Sequence, residues 1–294
     1  MTLPLAVAIR LPGSVASPKM SDEIFRLIRT FIYQNTGIYF QDNKKYLLEG
    51  RLGKRLQLIG LETFESYFQH IRFSTQRMTE MKFLYEAVTI NETFFFRNEP
   101  QFEAFEHTLI PQLLAAKNSV GRTKLRIWSA ASSSGEEAYT LAMIYLEKLR
   151  PKYPMLDVEI VGTDISSGVV ETARSGIYRE YSVRNMPKLY LQKYFECVDG
   201  RYHIDPAAKK LARFEHFNLY DRVRMRAMGH FDVIFCANVL IYFDVQSKVQ
   251  VVSDLYDNLN PGGFLFIGYA ESLHGISSAF KLINFPKTVA YQKE

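Results

Sequence analysis

Residues 125–146 read LRIWSAASSSGEEAYTLAMIYL. A short apolar strand over 125–128 runs into seven small residues, 129–135, and Glu136 and Glu137 then open an amphipathic helix. Lack of side-chain bulk where a strand becomes a helix lets a ligand lie against the backbone, in the crevice at the strand ends of an open α/β sheet. A phosphate site would place glycines and bare N–H groups there, because a helix N-terminus attracts anions. This turn has one glycine and two carboxylates, which suits a ligand carrying positive charge. The two glutamates would also complement the helix dipole with no ligand at all. That second reading accounts for the glutamates but not for the run of small residues before them.

Downstream, strand and helix patterns alternate. Strands are expected over 125–128, 158–163, 213–217, 231–235 and 263–269, with helices over 137–149, 167–175 and 245–259. Such alternation predicts a mostly parallel sheet covered by helices on both faces. The run Asn260-Pro261-Gly262-Gly263 reads as a turn into the last of these strands, and KTVAYQ (287–292) as a further edge strand. One segment breaks the alternation. Residues 195–198 and 201–204 flank Asp199-Gly200, a two-residue hairpin signal; with the run into 213–217 it predicts an antiparallel insertion of about three strands near 190–213.

Upstream, residues 21–90 have a helical period throughout. Ile24, Phe25, Ile28, Phe31 and Ile32 share one face, Ser21 can cap the start, and Asn35-Thr36-Gly37 supplies a stop. Further helices are expected over 43–59, ending at Gly60, and over 61–73 and 75–88. The chain therefore divides into a flexible tail (1–20), an all-helical domain (21–90), a linker (91–101) and an α/β domain (102–294). In the second helix Lys44, Arg51 and Arg55 stack on one face with Lys45 and Lys54 beside them, and Glu49 is the only acid. Two readings fit: a solvated face opposite Leu47, Leu48 and Leu52, or a docking surface for an acidic helix.

Composition narrows the classes. The net charge of +5 permits an acidic partner without requiring nucleic acid. Cys197 and Cys236 lie far apart and the six histidines are scattered, which argues against a disulfide framework or a zinc site and for reduced thiols, as in a cytoplasmic protein. The apolar run near the N-terminus has no positive charge ahead of it, unlike a signal peptide. No apolar segment approaches the roughly 20 residues of a membrane span. A soluble protein is expected.

Several residues carry chemistry. Asp164 ends the second strand of the α/β region, placed to accept hydrogen bonds from ribose hydroxyls. With the small-residue turn one strand earlier, it points to a cationic, nucleoside-containing ligand; S-adenosylmethionine, with its ammonium and sulfonium groups, fits. Asn218 follows the third strand and Asn238 the fourth, where amides could read an adenine edge, while Cys236 reads as core packing. Asn91-Glu92-Thr93-Phe94-Phe95-Phe96-Arg97 is odd for a linker. Some of its rings are expected to bury between the two domains. Asn91, Thr93 and Arg97 could share a face toward the crevice, with Glu92 and Phe94 structural.

The segments 91–97, 128–139, 162–166, 175–178, 235–244 and 270–272 together resemble, in order and spacing, the successive motifs of the bacterial chemotaxis receptor methyltransferases. The resemblance covers the chain from Ser21 onward. It implies a Rossmann-like class I methyltransferase sheet with an all-helical N-terminal domain and a small β insertion. It further implies methyl transfer from S-adenosylmethionine to glutamates on chemoreceptor cytoplasmic helices, giving methyl esters and S-adenosylhomocysteine. Carried onto this sequence, it implies that Asn91, Thr93 and Arg97 contact the cofactor side of the site, that Glu137 binds the methionine ammonium and that Asp164 binds the ribose. Asn218 with Leu219, and Asn238 with Ala237, would line the adenosine and methionyl pocket. Arg97 and Tyr242 would orient the substrate carboxylate, and Lys44, Lys45, Arg51, Lys54 and Arg55 would dock the receptor, with the enzyme a monomer. Two positions depart from the family: Ala237 where arginine is usual, and Ala138 where proline follows the paired glutamates. Ala237 removes a cation from the crevice and keeps open the alternative of a non-catalytic cofactor-binding or scaffolding homologue. A nucleic-acid amino-methyltransferase would carry prolines after the fourth strand, where this chain reads Asn238-Val239-Leu240-Ile241-Tyr242.

Overall fold

The computed structural model describes residues 18–118 and 124–294, so most of the tail expected over 1–20 lies outside the described residues. The contacts of these residues divide into two units: 18–29 together with 40–87, and 30–39 together with 88–118 and 124–294.

The first unit is helical. It holds the start of α1 (Asp22–Thr36), then α2 (Lys45–Ile59), α3 (Phe64–Phe73) and most of α4 (Arg77–Val88). Ser21 caps α1, its Oγ accepting the Ile24 N–H at 3.2 Å. Gly60, left-handed at φ 72°, ends α2 and returns its N–H to the carbonyls of Leu56 and Gln57. The helix expected from residue 61 starts at Phe64 because Thr63 caps it, accepting the Ser66 N–H at 3.1 Å. Leu48, Leu52, Leu56, Phe64 and Ile71 are fully buried, whereas Leu47 is only half-buried.

The second unit is a helix-covered sheet. In chain order it contains α5 (Glu99–Ala104), α6 (Ile110–Asn118), β1 (Lys124–Ala130), α7 (Glu136–Ile144), β2 (Asp157–Asp164), α8 (Ser167–Ser175), β3 (Ile177–Tyr178), α9 (Glu180–Val183) and α10 (Lys188–Tyr194). There follow β4 (Phe195–Val198), β5 (Arg201–Ile204), α11 (Pro206–Lys209), β6 (Ala212–His216), α12 (Arg222–Ala227), β7 (Phe231–Cys236), α13 (Val245–Asp257), β8 (Leu259–Ile267), β9 (Phe280–Phe285) and β10 (Thr288–Lys293). Seven strands form the main sheet in the order β6-β2-β1-β7-β8-β10-β9. The first five run parallel; β10 is antiparallel to both β8 and β9. This is the class I methyltransferase arrangement. Every residue of β7 is buried, as expected of a central strand covered on both faces. The chain leaves β1 toward β2 on one side and later returns as β7 on the other, so the strand order reverses at β1 and opens a crevice at the carboxyl ends of these strands.

Three expectations need correction. The hairpin forms at Asp199-Gly200 as expected, but the third strand of the insertion is β3, with order β3-β5-β4, while residues 212–216 join the main sheet beside β2. A two-residue strand carries no readable period. The strand over 288–293 is internal, and the edge is β9, whose FKLINF pattern leaves every residue at least partly exposed. Finally, Asn260-Pro261-Gly262-Gly263 lies within β8 as a bulge: the register jumps from Phe231↔Leu259 to Val233↔Phe264, with Gly262 at φ 76°.

Candidate active site

One open cavity lies at the strand ends, enclosing about 1010 Å³ including its mouth. The turn after β1 supplies Ala131, Ser132, Ser133 and Glu137; the ends of β2, β6 and β7 supply Asp164, Asn218 with Leu219, and Ala237 with Asn238. Tyr242 and Phe243 line it from the turn before α13, Asn91 to Phe94 and Arg97 from the linker, and Thr36 and Ile38 from the end of α1.

The small-residue turn does two jobs. A Cβ on Gly135, which sits at φ 92°, would stand 2.8 Å from the Ala173 side chain and 2.9 Å from the Phe214 ring, so this glycine serves packing. Ser132 and Ser133 face the cavity instead. The Ser132 N–H donates to the Thr163 carbonyl at 2.8 Å, and the Ser133 N–H donates to Asp164 Oδ2 at 2.9 Å. Asp164 also accepts the Ser166 N–H at 2.9 Å. Burial outweighs these bonds and pushes its carboxyl up to about 6.

The paired glutamates part company. Glu136 is buried and accepts the hydroxyls of Ser134 at 2.8 Å and Ser182 at 2.9 Å, an internal fixture. Glu137 lines the cavity and accepts the Ser129 hydroxyl at 2.7 Å. Burial pushes Glu137 up to about 7, opposed by the Ser129 bond and the Arg97 charge.

Both polar groups of Asn218 are engaged: its Nδ2 donates to the Asn35 carbonyl at 2.6 Å and its Oδ1 accepts the Tyr220 N–H at 3.0 Å. Its side chain therefore ties the end of α1 to the cavity wall. Arg97 donates to the Glu92 carbonyl at 2.5 Å. Cys236 is fully buried, and burial pushes its thiol well up, in keeping with core packing.

The phenylalanine run departs from expectation. Phe95 is buried within the second unit, edge-on to Tyr178 at 4.9 Å and Phe195 at 5.1 Å, and Phe96 packs on Tyr190 at 4.8 Å. The aromatic insertion residues offer these rings a partner in their own unit. Glu92 and Phe94 were expected to be purely structural, yet both line the cavity. Glu92 accepts the Tyr181 hydroxyl at 2.8 Å.

Residues 91–289 match the family model described as "CheR methyltransferase, SAM binding domain", and residues 23–89 match "CheR methyltransferase, all-alpha domain". The chain belongs to the CheR methyltransferase family. It is 38% identical over 275 residues to "Chemotaxis protein methyltransferase 2" of Vibrio cholerae serotype O1, covering 93% of this chain and 94% of that protein. It is 34% identical to "Chemotaxis protein methyltransferase 1" of Pseudomonas aeruginosa, over 91% of this chain and 97% of that one. "Chemotaxis protein methyltransferase" of Borreliella burgdorferi is 34% identical over 86% of this chain and 89% of its own length.

As a CheR methyltransferase the chain uses S-adenosylmethionine, and its cavity fits that cofactor. Two carboxylates raised by burial, both lining the cavity, are stabilised in their charged form by a cation. Sequence reasoning passed over Ser132 inside its own small-residue run, and over Thr36 and Ile38, which come from the segment read only as a helix stop. Glu271, within the segment 270–272, carries no role in the sequence reading.

The basic face of α2 is less uniform than its spacing suggests. Arg55 forms a two-pronged ion pair with Glu80, at 2.9 Å and 2.7 Å, and lies 3.6 Å over the Phe83 ring. Glu80 is 3% exposed and also accepts the Tyr67 hydroxyl at 3.0 Å. Arg55 is therefore a structural cation here rather than a solvated docking group. Lys45 pairs with Asp22 at 2.6 Å and Arg51 donates to the Ala87 carbonyl at 3.4 Å, while Lys44 is half-buried and Lys54 exposed. No helix among the described residues is long and apolar enough to cross a membrane.

Proposed function

We propose that this CheR methyltransferase acts in the cytoplasm on chemoreceptors, esterifying glutamate side chains of their cytoplasmic helices. The observation that supports this most is the make-up of the cavity wall: an anionic floor, Glu137 and Asp164, shares one cleft with a single guanidinium, Arg97, and a phenol, Tyr242. When bound, S-adenosylmethionine supplies an electrophilic methyl group. A glutamate carboxylate is ionised at neutral pH, with an ordinary pKa of about 4.3, so the protein needs no general base. Its work is positioning and water exclusion.

In this reading Glu137 holds the cofactor's ammonium and Asp164 accepts its ribose hydroxyls. Asn91, Thr93, Asn218, Leu219, Ala237 and Asn238 shape the rest of the pocket. Arg97 orients the incoming carboxylate by charge-assisted hydrogen bonds, and Tyr242 sets the direction of the attacking oxygen. The helical domain, residues 21–90, docks the acidic receptor helix through Lys44, Lys45, Arg51 and Lys54 on α2.

The test is incorporation of label from methyl-labelled cofactor into purified receptor cytoplasmic fragments, with RNA as the competing acceptor. Label should enter the receptor fragments and not the RNA. Label in RNA, or none in any receptor fragment from protein that binds the cofactor, would overturn the proposal.

A further inference from the structure

We propose that Glu271 is a positioning residue whose carboxylate holds the loop after β7, and with it Asn238 and Tyr242, against the end of β8. For Tyr242's part in turnover this rests on the function proposed above.

Glu271 lies just beyond β8, in Gly268-Tyr269-Ala270-Glu271. Its Oε2 accepts the N–H of Gly268 at 2.6 Å and of Asn238 at 2.9 Å, and its Oε1 accepts the N–H of Ile241 at 3.1 Å. One carboxylate thus gathers three backbone donors from two strand-end segments, in charge-assisted bonds. Asn238 sits at φ 62°, a left-handed conformation that asparagine adopts more readily than most residues. A Cβ on Gly268 would stand 2.7 Å from Glu271 Oε2 and 2.8 Å from the Asn238 nitrogen, so the two segments approach as closely as they do because residue 268 has no side chain.

The tethered loop is the cavity wall: Ala237, Asn238, Val239, Tyr242 and Phe243 all line the cleft. From its other side the Tyr39 N–H donates to the Tyr242 carbonyl at 3.0 Å, and Ile38 bridges to Phe243. The Tyr242 turn is therefore held at both ends, by Glu271 through Ile241 and by the segment after α1 through Tyr242 itself.

Two variants separate the bonds. In Glu271→Gln the side-chain oxygen can keep Asn238 and Gly268, but the new NH2 then faces the Ile241 N–H and that bond is lost. Affinity for S-adenosylhomocysteine should stay within about threefold of wild type while kcat on receptor fragments falls about tenfold. Glu271→Ala loses all three bonds. Affinity should fall about tenfold and kcat about a hundredfold, with faster amide hydrogen exchange at Gly268, Asn238 and Ile241. Formate, but not chloride, should restore part of the affinity by occupying the three N–H groups.

Both variants folded, with wild-type affinity, turnover and exchange, would overturn the proposal, as would losses that track only the folded fraction in thermal melts. If Glu271→Ala does not fold, the split between affinity and kcat in Glu271→Gln decides. Should wild type bind S-adenosylhomocysteine yet methylate no receptor fragment, the proposed function fails, while the affinity and exchange arms still test Glu271.

Discussion

The raised carboxyl of Glu137 makes cofactor binding depend on pH in a way that can be worked out beforehand. Free Glu137 titrates at about 7, against an ordinary 4.5, because burial disfavours its charge and only the Ser129 hydroxyl and the Arg97 charge oppose that. A cation seated against it needs the ionised form. With a midpoint of about 7, roughly three-quarters of Glu137 in the free protein is ionised at pH 7.5 and about 3% at pH 5.5, so Glu137 alone should lower the apparent affinity for S-adenosylhomocysteine roughly 25-fold between them. Binding should also release close to one proton at pH 6, read by calorimetry in buffers of different ionisation enthalpy. Glu137→Gln should bind more weakly at pH 7.5 and lose this dependence, leaving only a shallower fall below about pH 6 from Asp164. In the cofactor-free protein the sign is opposite. A carboxyl raised on folding favours the folded state below about 4.5, and that contribution disappears as the pH rises through about 7. Wild-type affinity that changes less than about threefold across this range, with no buffer-dependent heat, would refute the assignment of Glu137 to the ammonium.

Other outcomes follow from the same geometry. Ser132→Ala removes a buried hydroxyl without a partner in the protein, so the free protein should melt no lower; a lower melting temperature would contradict this. Arg55→Ala leaves Glu80 buried and unpaired, and should cost about 3 kcal/mol in urea unfolding. Lys54→Glu should leave stability within about 0.5 kcal/mol and raise KM for receptor fragments. Tyr242→Phe should lower kcat about tenfold at unchanged affinity for S-adenosylhomocysteine, and Arg97→Ala should lower kcat/KM about a hundredfold.

The parallel core of the sheet is legible in the sequence because strands buried on both faces read as apolar runs; β7, buried throughout, lies close to its expected bounds. The hairpin is legible because Asp199 at φ 49° and Gly200 at φ 71° are the residue types its turn demands. What escapes is set by tertiary partners. Strand β3 is too short for any period, and β9 is too evenly exposed. Nothing local distinguishes Glu136, folded inward onto Ser134 and Ser182, from Glu137, one residue on and facing the cleft. Arg55 reads as a surface cation until Glu80, distant in sequence, is brought against it. Thr36 and Ile38 reach the cavity because Gly37, at φ 71° and with its Cα against the Tyr220 ring, turns the chain where only glycine fits. The helical period ends there, but the sequence does not show where the turned chain goes.

The most direct measurement concerns the bond that is made. Receptor cytoplasmic fragment methylated by this protein should carry label that mild alkali releases as volatile methanol, and should lose it when the acceptor glutamates are replaced by alanine. Label that survives alkali, or that persists without those glutamates, would contradict transfer to a glutamate carboxylate.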